Sequence, residues 1–304
     1  MPAPVVSVTL CMYNASRYID QALSSVFAQT FQDFEVIVID DGSPDDVAGV
    51  VARYPKVRYV RQPNGGLSAA RNTGIRGSHG NFLVFLDADD RLLPDALRIG
   101  LDCFQVSPEC AYVSGHYRMI RNDGTPLPDF EQVPPEPDAY RTLLQRNYIG
   151  MHATVMYRRA IFESVGEFNR ELATCEDYDM YLRIARGHRV RSHGRIVAEY
   201  RRHGAAMSMD PARMLGGALD AFAGQWPFIA DKPDYVRAQR AGIRYMRGYA
   251  PKPLLKHILA SLKAGRFWTA LRLSLALFRF LPAWLRALWR EARLGARLAS
   301  LRQA

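Results

Sequence analysis

The sequence predicts an α/β fold: a mostly parallel central sheet flanked by helices, followed by a helical, basic C-terminal extension. Three observations predict it. Four short apolar, β-branched runs in the first ninety residues alternate with segments of helical spacing. Acidic clusters stand at the ends of two of those runs. The excess positive charge is gathered at the C-terminus. Near-continuous apolar strands separated by helices are the mark of a parallel sheet covered on both faces.

The elements follow in order. VVSVTLCM, from Val5 to Met12, reads as a buried strand. Arg17–Gln29 is helical, with Ile19, Leu23, Val26 and Phe27 near helical spacing. Phe34–Ile39 is a second strand, Asp45–Tyr54 a helix, Val57–Val60 a short third strand, Leu67–Ile75 a helix and Asn81–Leu86 a fourth strand. Beyond Pro94 the pattern loosens. Strands are expected at Ala111–Ile120 and Ala153–Tyr157, a Pro- and Asp-rich loop over Asn122–Asp138, and a helix over Asp177–Ala185. From about Met214 the chain reads as helical, broken at Pro227, Pro233, Pro251, Pro253 and Pro282. The expected organisation is a main domain over 1–210 with halves of about 1–110 and 111–210, a helical linker region over 211–250, and a basic amphipathic tail over 251–304.

Composition narrows the class. With 304 residues, 48% hydrophobic and 23% charged, the chain is globular in type, and disordered, collagen-like or disulfide-stapled classes are excluded. Cys11, Cys103, Cys110 and Cys175 form no C-x-x-C pair and no zinc-spaced Cys/His cluster, so a reducing compartment is expected. MPAPVVSVTL has neither a basic n-region nor a cleavage site, so no secretory signal is expected. The net charge of +10 is localised: residues 252–304 hold eleven Lys and Arg against one acid, Glu291, while the remainder balances. The body is therefore not expected to bind nucleic acid.

From Leu254 onward no stretch offers the ~18–20 uncharged apolar residues of a spanning helix. Arg272, Arg279, Arg286 and Arg293 recur every seven residues, with Arg290 and Arg297 on nearly the same face. Leu273, Leu277, Phe280, Leu281, Trp284, Leu285 and Leu288 lie largely away from it, and Pro282 should kink the helix. With Trp284 and Trp289, residues 254–304 suit an interfacial helix on an anionic membrane. A helix packed on the body, or a dimer contact, uses the same apolar face.

Parallel sheets place ligands at the carboxyl ends of their strands, and three acidic groups are candidates there. Asp40-Asp41-Gly42-Ser43 follows the second strand and suits either a base or ribose acceptor or a helix N-cap or turn. Asp87-Ala88-Asp89-Asp90 follows the fourth. Residues two apart share a strand face, so Asp87 and Asp89 are expected to converge on a hard cation while Asp90 points elsewhere; a solvated turn is the alternative. Glu176-Asp177-Tyr178-Asp179 opens a helix, where acids also favour the dipole without any catalysis. Between them, Asn64-Gly65-Gly66 makes a tight turn, Ser68 is placed to start a helix, and Arg71 and Asn72 lie on its first turns. An Arg there suits a phosphate or base, or plain surface exposure.

No G-x-G-x-x-G, Walker A or G-x-S-x-G occurs, so dinucleotide, P-loop and serine-hydrolase readings lose their support. Asp-x-Asp after an apolar strand also occurs in haloacid-dehalogenase-type phosphohydrolases, but Arg91 replaces their usual Thr or Val. Together the segments VSVTLCMYNASRYIDQALSSVFAQTFQDFEVIVIDDGS, NGGLSAARNTGI, GNFLVFLDADDRLLPDAL, RRAIFESVGEFN, CEDYDMYLRIA and YRRHGAAMS, in this order over about residues 5–208, resemble family 2 glycosyltransferases of the GT-A fold. Cys11 departs from the family's usual Pro.

The resemblance implies an inverting, metal-dependent hexosyl- or N-acetylhexosaminyl-transferase. It would use a nucleotide-sugar, UDP by analogy, and a glycan or lipid-linked acceptor in polysaccharide biosynthesis, with the nucleotide-sugar site in 1–110 and the acceptor site in 111–210. It implies Tyr13 and Asp41 at the nucleotide base, with Asp40 and Arg71 in support and Asn14 also nucleotide-binding. Asp87 and Asp89 match the Asp-x-Asp motif for ribose and Mg²⁺ or Mn²⁺, with Asp89 the direct metal ligand. Asp177 matches the catalytic base and Glu176 its neighbouring acid, while His203 falls near the diphosphate or in a surface loop. The implied location is the cytoplasm, peripheral at the inner face of the cell membrane. The alternative is a non-catalytic membrane-surface or interaction protein on a degenerate GT-A scaffold; no oligomeric state is implied.

Overall fold

The computed structural model describes residues 3–135, 137–204, 210–249 and 251–278. The chain divides into two compact units, residues 1–143 with 147–204, and residues 144–146 with 205–304.

In the first unit the apolar runs form β1 (Val6–Met12), β2 (Phe34–Asp40), β3 (Val57–Arg61) and β4 (Phe82–Asp87), with α1 (Ser16–Phe27), α2 (Val47–Val51) and α3 (Leu67–Gly77) between them. Then come β5 (Arg91–Leu92), α4 (Ala96–Val106), β6 (Tyr112–Ile120), α5 (Ala139–Gln145), a short 3-10 turn at His152–Thr154, β7 (Val155–Arg158), α6 (Ile161–Val165), α7 (Glu176–Ala185) and β8 (Val190–Arg201). The sheet order is β3-β2-β1-β4-β7-β6-β8-β5.

Pairing is parallel through β3-β2-β1-β4, as the doubly covered apolar strands require. Beyond β4 the sheet is mixed. β7 runs antiparallel to both β4 and β6, β8 is parallel to β6, and β5 is antiparallel to β8. Strand alternation splits the core between two faces. Val8, Leu10, Val36, Val38 and Leu86 pack against Ile19, Leu23 and Val26 of α1. Cys11, Ile37 and Ile39 pack on the other side against Ala70 and Leu67 of α3. Gly74 lets α3 lie close on β1, since a Cβ there would strike the side chain of Thr9.

Several local expectations change, among them the break at Pro227, which lies inside a helix running Pro211–Ile229. The second helix is shorter than Asp45–Tyr54, because Asp46 caps it by accepting from Gly49 N at 2.8 Å. α3 begins at Gly66 without a side-chain cap; the Ser68 hydroxyl instead donates to the Asn169 carbonyl at 2.9 Å. β8 escapes the sequence pattern because its first half is polar and partly exposed.

The second unit contains α8 (Pro211–Ile229), α9 (Pro233–Tyr249), α10 (Pro251–Lys263) and α11 (Phe267–Phe278). Asp210 caps α8, accepting from the amides of Ala212 and Arg213 at 3.1 Å each. Leu254 and Ile258 of α10 pack with Ala270 and Leu273 of α11, and Leu277 adds to them. Leu273 and Leu277 thus belong to a closed helix–helix seam, not to an open face, because burial against α10 removes their apolar surface from water. The rest of the expected tail, Arg279, Phe280, Leu281, Pro282, Trp284, Leu285, Arg286, Leu288, Trp289, Arg290, Arg293 and Arg297, lies outside the described residues. No described helix is long and apolar enough to cross a membrane.

Candidate active site

The carboxyl ends of β1, β2 and β4 bring the sequence-selected residues to one edge of the sheet. At the end of β1, Tyr13 is 55% exposed, open to a planar ligand. Asn14 adopts a left-handed backbone (φ +53°), and its amide donates to Ser43 Oγ at 3.0 Å. Cys11, in the place of the family's Pro, is buried, and burial pushes its thiol pKa up, so it is a neutral filler.

The two acids after β2 are occupied differently. Asp40 is fully buried; Ser43 N donates to its Oδ1 at 2.7 Å and the Tyr59 hydroxyl to its Oδ2 at 2.5 Å. Burial works against its ionisation, but these bonds outweigh it and hold the carboxyl below its usual range. Asp40 therefore builds the loop. Asp41 accepts from Gln62 Nε2 at 2.7 Å, Gly65 N at 2.9 Å and Gly66 N at 2.8 Å, which fastens the Asn64-Gly65-Gly66 turn to the end of β2. A carboxylate offers about four acceptor positions, so one remains for a ring N–H.

α3 carries a polar face that the sequence reading did not resolve. Ser68, Arg71, Asn72 and Arg76 follow helical spacing, and all reach the segment leading into α7. Asn72 exchanges two hydrogen bonds with the backbone of Phe168, at 2.8 and 2.9 Å. Arg76 pairs with Glu167 at 2.6 Å. Arg71 is 2% exposed; its Nη1 lies 2.5 Å from Glu176 Oε1 and its Nη2 3.0 Å from Asp87 Oδ1. Its guanidinium also lies over the Phe168 ring. Arg71 thus bridges β4 to α7 and is spent on two carboxylates.

Asp177 behaves differently from its neighbour. Among the described residues it makes no ion pair; its Oδ1 accepts from Tyr178 N at 2.7 Å. Burial, then the charge of Glu176, raise its pKa to about 6 against the pull of Arg71. Cys175, just before α7, holds a left-handed φ of +61° that turns the chain into the helix. Beneath lies an aromatic floor of Phe85, His152, Tyr157, Phe162 and Phe168. His152 Nε2 is 3.0 Å from the Tyr157 hydroxyl, and burial, then Arg71, keep its pKa well below the usual value, so it is neutral.

The strand ends at Asp87, so alternation along a strand does not place Asp89. A turn does, closed by Asp90 N donating to Asp87 O at 3.1 Å. Asp90 is buried and accepts from Arg201 N at 2.8 Å. His203 Nε2 lies 2.8 Å from Asp89 Oδ2, and its ring is 5.2 Å from that of Tyr18. The sequence reading passed over Arg201, which is buried and gathers this turn. Its Nε donates to Asp89 O at 2.7 Å, its Nη1 to Asn122 O at 2.8 Å and its Nη2 to Gln21 Oε1 at 2.7 Å.

Residues 7–166 match the family model described as Glycosyl transferase family 2. The chain belongs to that family. A chondroitin synthase of Escherichia coli is 32% identical over 188 residues, 60% of this chain and 26% of the relative. A putative teichuronic acid biosynthesis glycosyltransferase, TuaG of Bacillus subtilis, is 32% identical over 206 residues, 65% of this chain and 79% of the relative. The chain spans only 26% and 19% of the chondroitin synthases it matches. Among solved structures, S. aureus TarS 1-349 in complex with UDP-GlcNAc superposes with TM-score 0.58 at 18% identity, covering 90% of this chain and 91% of that one. The mannosyltransferase PcManGT from Pyrobaculum calidifontis, in complex with GDP-Man and Mn²⁺, superposes with TM-score 0.61 at 20% identity, covering 99% and 88%. The fold is thus GT-A, a mixed sheet with flanking helices.

The donor set of this family member fits a divalent cation. Asp87 and Asp89 are hard oxygen donors; burial, opposed by Arg71 and reinforced by Asp89, raises the Asp87 carboxyl pKa. Burial, then the charges of Asp89 and Asp87, raise Asp90 well above its usual value against the pull of Arg201. A bound cation relieves this repulsion. Among the described residues no three His, Cys, Asp or Glu side chains form a metal cage. Mg²⁺-type sites commonly use one or two carboxylates completed by substrate phosphates and water, which is the set that Asp87 and Asp89 offer.

Proposed function

We propose that the chain is an inverting, metal-dependent glycosyltransferase. It moves a hexosyl or N-acetylhexosaminyl unit from a UDP-sugar to a hydroxyl of a glycan or lipid-linked acceptor in polysaccharide biosynthesis. The observation that carries this reading is the division of labour at α7: Glu176 is neutralised by Arg71, while Asp177, partly exposed and with no ion pair among the described residues, is raised to about pKa 6. A general base works best with its pKa near the operating pH.

In this reading Tyr13 and the remaining acceptor position of Asp41 hold the base, with Asn14 also on the nucleotide, within a donor half of about 1–110. Asp87 and Asp89 hold the cation, Asp89 as direct ligand, with His203 beside the diphosphate. A cation bound there supplies Lewis-acid stabilisation of charge on the leaving diphosphate. Asp177, in the acceptor half of about 111–210, takes the proton of the acceptor hydroxyl as its oxygen attacks the anomeric carbon. The bond to the diphosphate oxygen breaks as the new glycosidic bond forms, so one displacement inverts the centre. Arg71 holds Glu176 and Asp87 at fixed positions on either side. The eleven bases of residues 252–304 support a location on an anionic membrane, which this reading puts at the cytoplasmic face.

The test is release of UDP from a panel of UDP-sugars with Mn²⁺ and a cell-envelope glycan extract. Turnover that is lost in EDTA and in Asp177→Asn supports the reading. Binding of no sugar nucleotide by thermal shift overturns it in favour of a non-catalytic scaffold.

A further inference from the structure

The hairpin of α10 and α11 has two apolar faces, and folding accounts for one. Leu254 and Ile258 close against Ala270 and Leu273. On the far side of α11, Phe267, Trp268, Leu271 and Leu275 remain exposed, and on α10 so do Leu259 and Leu262. Phe267 and Trp268 stand at the hairpin corner, 69% and 85% exposed, just after Gly265 turns the chain with φ +68°. Helical spacing sets these four α11 residues on one flank and Ala270, Leu273 and Leu277 on the other. A contiguous exposed apolar surface of this kind marks an interaction site.

Charge selects the occupant. No acid occurs between Asp234 and Glu291, and exposed Lys263 and Arg266 flank the corner, with exposed Lys256 farther along α10 and exposed Arg272 paired to Asp210 at 3.7 Å. A second copy would bring identical positive charges together, which disfavours association. An exposed corner led by Trp and Phe and flanked by Lys and Arg suits the headgroup boundary of a bilayer, where indole rings settle and basic stems reach phosphate. We propose that the open face of the α10–α11 hairpin is a lipid-insertion surface for an anionic membrane. It rests on the membrane reading above and relocates the contact from the Leu273–Leu277 seam to the Phe267–Trp268 corner.

The full chain is tested by sedimentation with phosphatidylglycerol-containing and phosphatidylcholine vesicles, at low and high salt. Wild type is expected on the anionic vesicles at low salt. The triple variant Phe267→Ser, Trp268→Ser, Leu271→Ser is expected to bind about tenfold more weakly or worse, given the transfer energy of such side chains, with sugar-nucleotide binding unchanged. Brominated lipid should quench a fluorescence component of wild type that Trp268→Phe lacks. If wild type ignores anionic vesicles, both the membrane reading and this inference fall. If the triple variant binds as wild type does, or brominated lipid leaves Trp268 unquenched, the hairpin assignment falls while the membrane reading survives. A wild-type dimer that the triple variant dissociates, with no vesicle binding, assigns the face to a second copy and overturns the proposal.

Discussion

Replacing Arg71 by Met should test how the active site is held together. The guanidinium faces Glu176, whose side chain is 6% exposed, and Asp87, which is 35% exposed. Two such pairs with charge centres ~4 Å apart are worth ~4 kcal/mol each at an effective dielectric of about 20. Met removes both, but also recovers the cost of burying the cation. Losing one partner of a buried pair usually costs about 3–5 kcal/mol; solvent screens the Asp87 share, so the expected loss is about 3 kcal/mol.

The assay is urea unfolding in EDTA, followed by far-UV circular dichroism and by amide exchange in α3 and α7. Tryptophan fluorescence does not report on this unit, because all four Trp lie at or beyond position 226. The pH dependence has a definite sign. Arg71 pulls the Asp87 and Asp177 pKa values down, yet both already stand above 3.8 in the folded protein. Removing it raises them further, and a carboxyl raised on folding costs stability above its folded pKa and stops doing so in acid. The gap between variant and wild type should therefore narrow from about pH 8 towards about pH 5. A loss below ~1 kcal/mol, or a gap that widens in acid, would refute the bridging role.

Other expectations concern chemistry and shape. Asp177→Asn should lower kcat by about 10²-fold or more while UDP binding is retained; a variant keeping a tenth of its turnover would place the base elsewhere. With Asp177 raised to about 6, wild-type kcat should rise with pH through that region as the carboxylate forms, and a flat profile in steady-state assays would contradict this. EDTA should stop turnover, Mn²⁺ or Mg²⁺ should restore it, and Asp89→Ala should raise the metal concentration required; undiminished activity in excess chelator would count against the cation. Asp41→Ala leaves Gln62, Gly65 and Gly66 without their acceptor, so UDP affinity by calorimetry should fall and thermal stability should drop by about 1–3 kcal/mol.

Much of the donor edge was legible in the linear sequence. Apolar runs ending in Asp40-Asp41 and Asp87-Ala88-Asp89-Asp90 require a strand and then a polar tip, and a parallel sheet sends such tips to one side. What each acid does there was not legible. Asp40 and Asp41 look alike in sequence, yet one is sealed against Tyr59 and the other holds a glycine turn. Asp89 was placed by strand alternation, whereas a turn and Arg201, 112 residues away, position it. β8 stayed hidden because a half-polar strand lacks the apolar run that signals burial.

The sequence by itself determined the parallel first half of the sheet, the acidic tips and the charged C-terminus, because periodicity, turn chemistry and charge are local properties. Only the tertiary structure decided which acid is neutralised by Arg71 and which makes no ion pair among the described residues. Glu176 and Asp177 are adjacent on one helix turn, and neither residue type nor spacing separates them. The partner that does, Arg71, lies 105 residues earlier and meets Glu176 only because α3 and the end of β4 fold against the start of α7. Arg71 neutralises the carboxylates it touches and only partly offsets what burial and the Glu176 charge do to Asp177, whose pKa therefore stays raised.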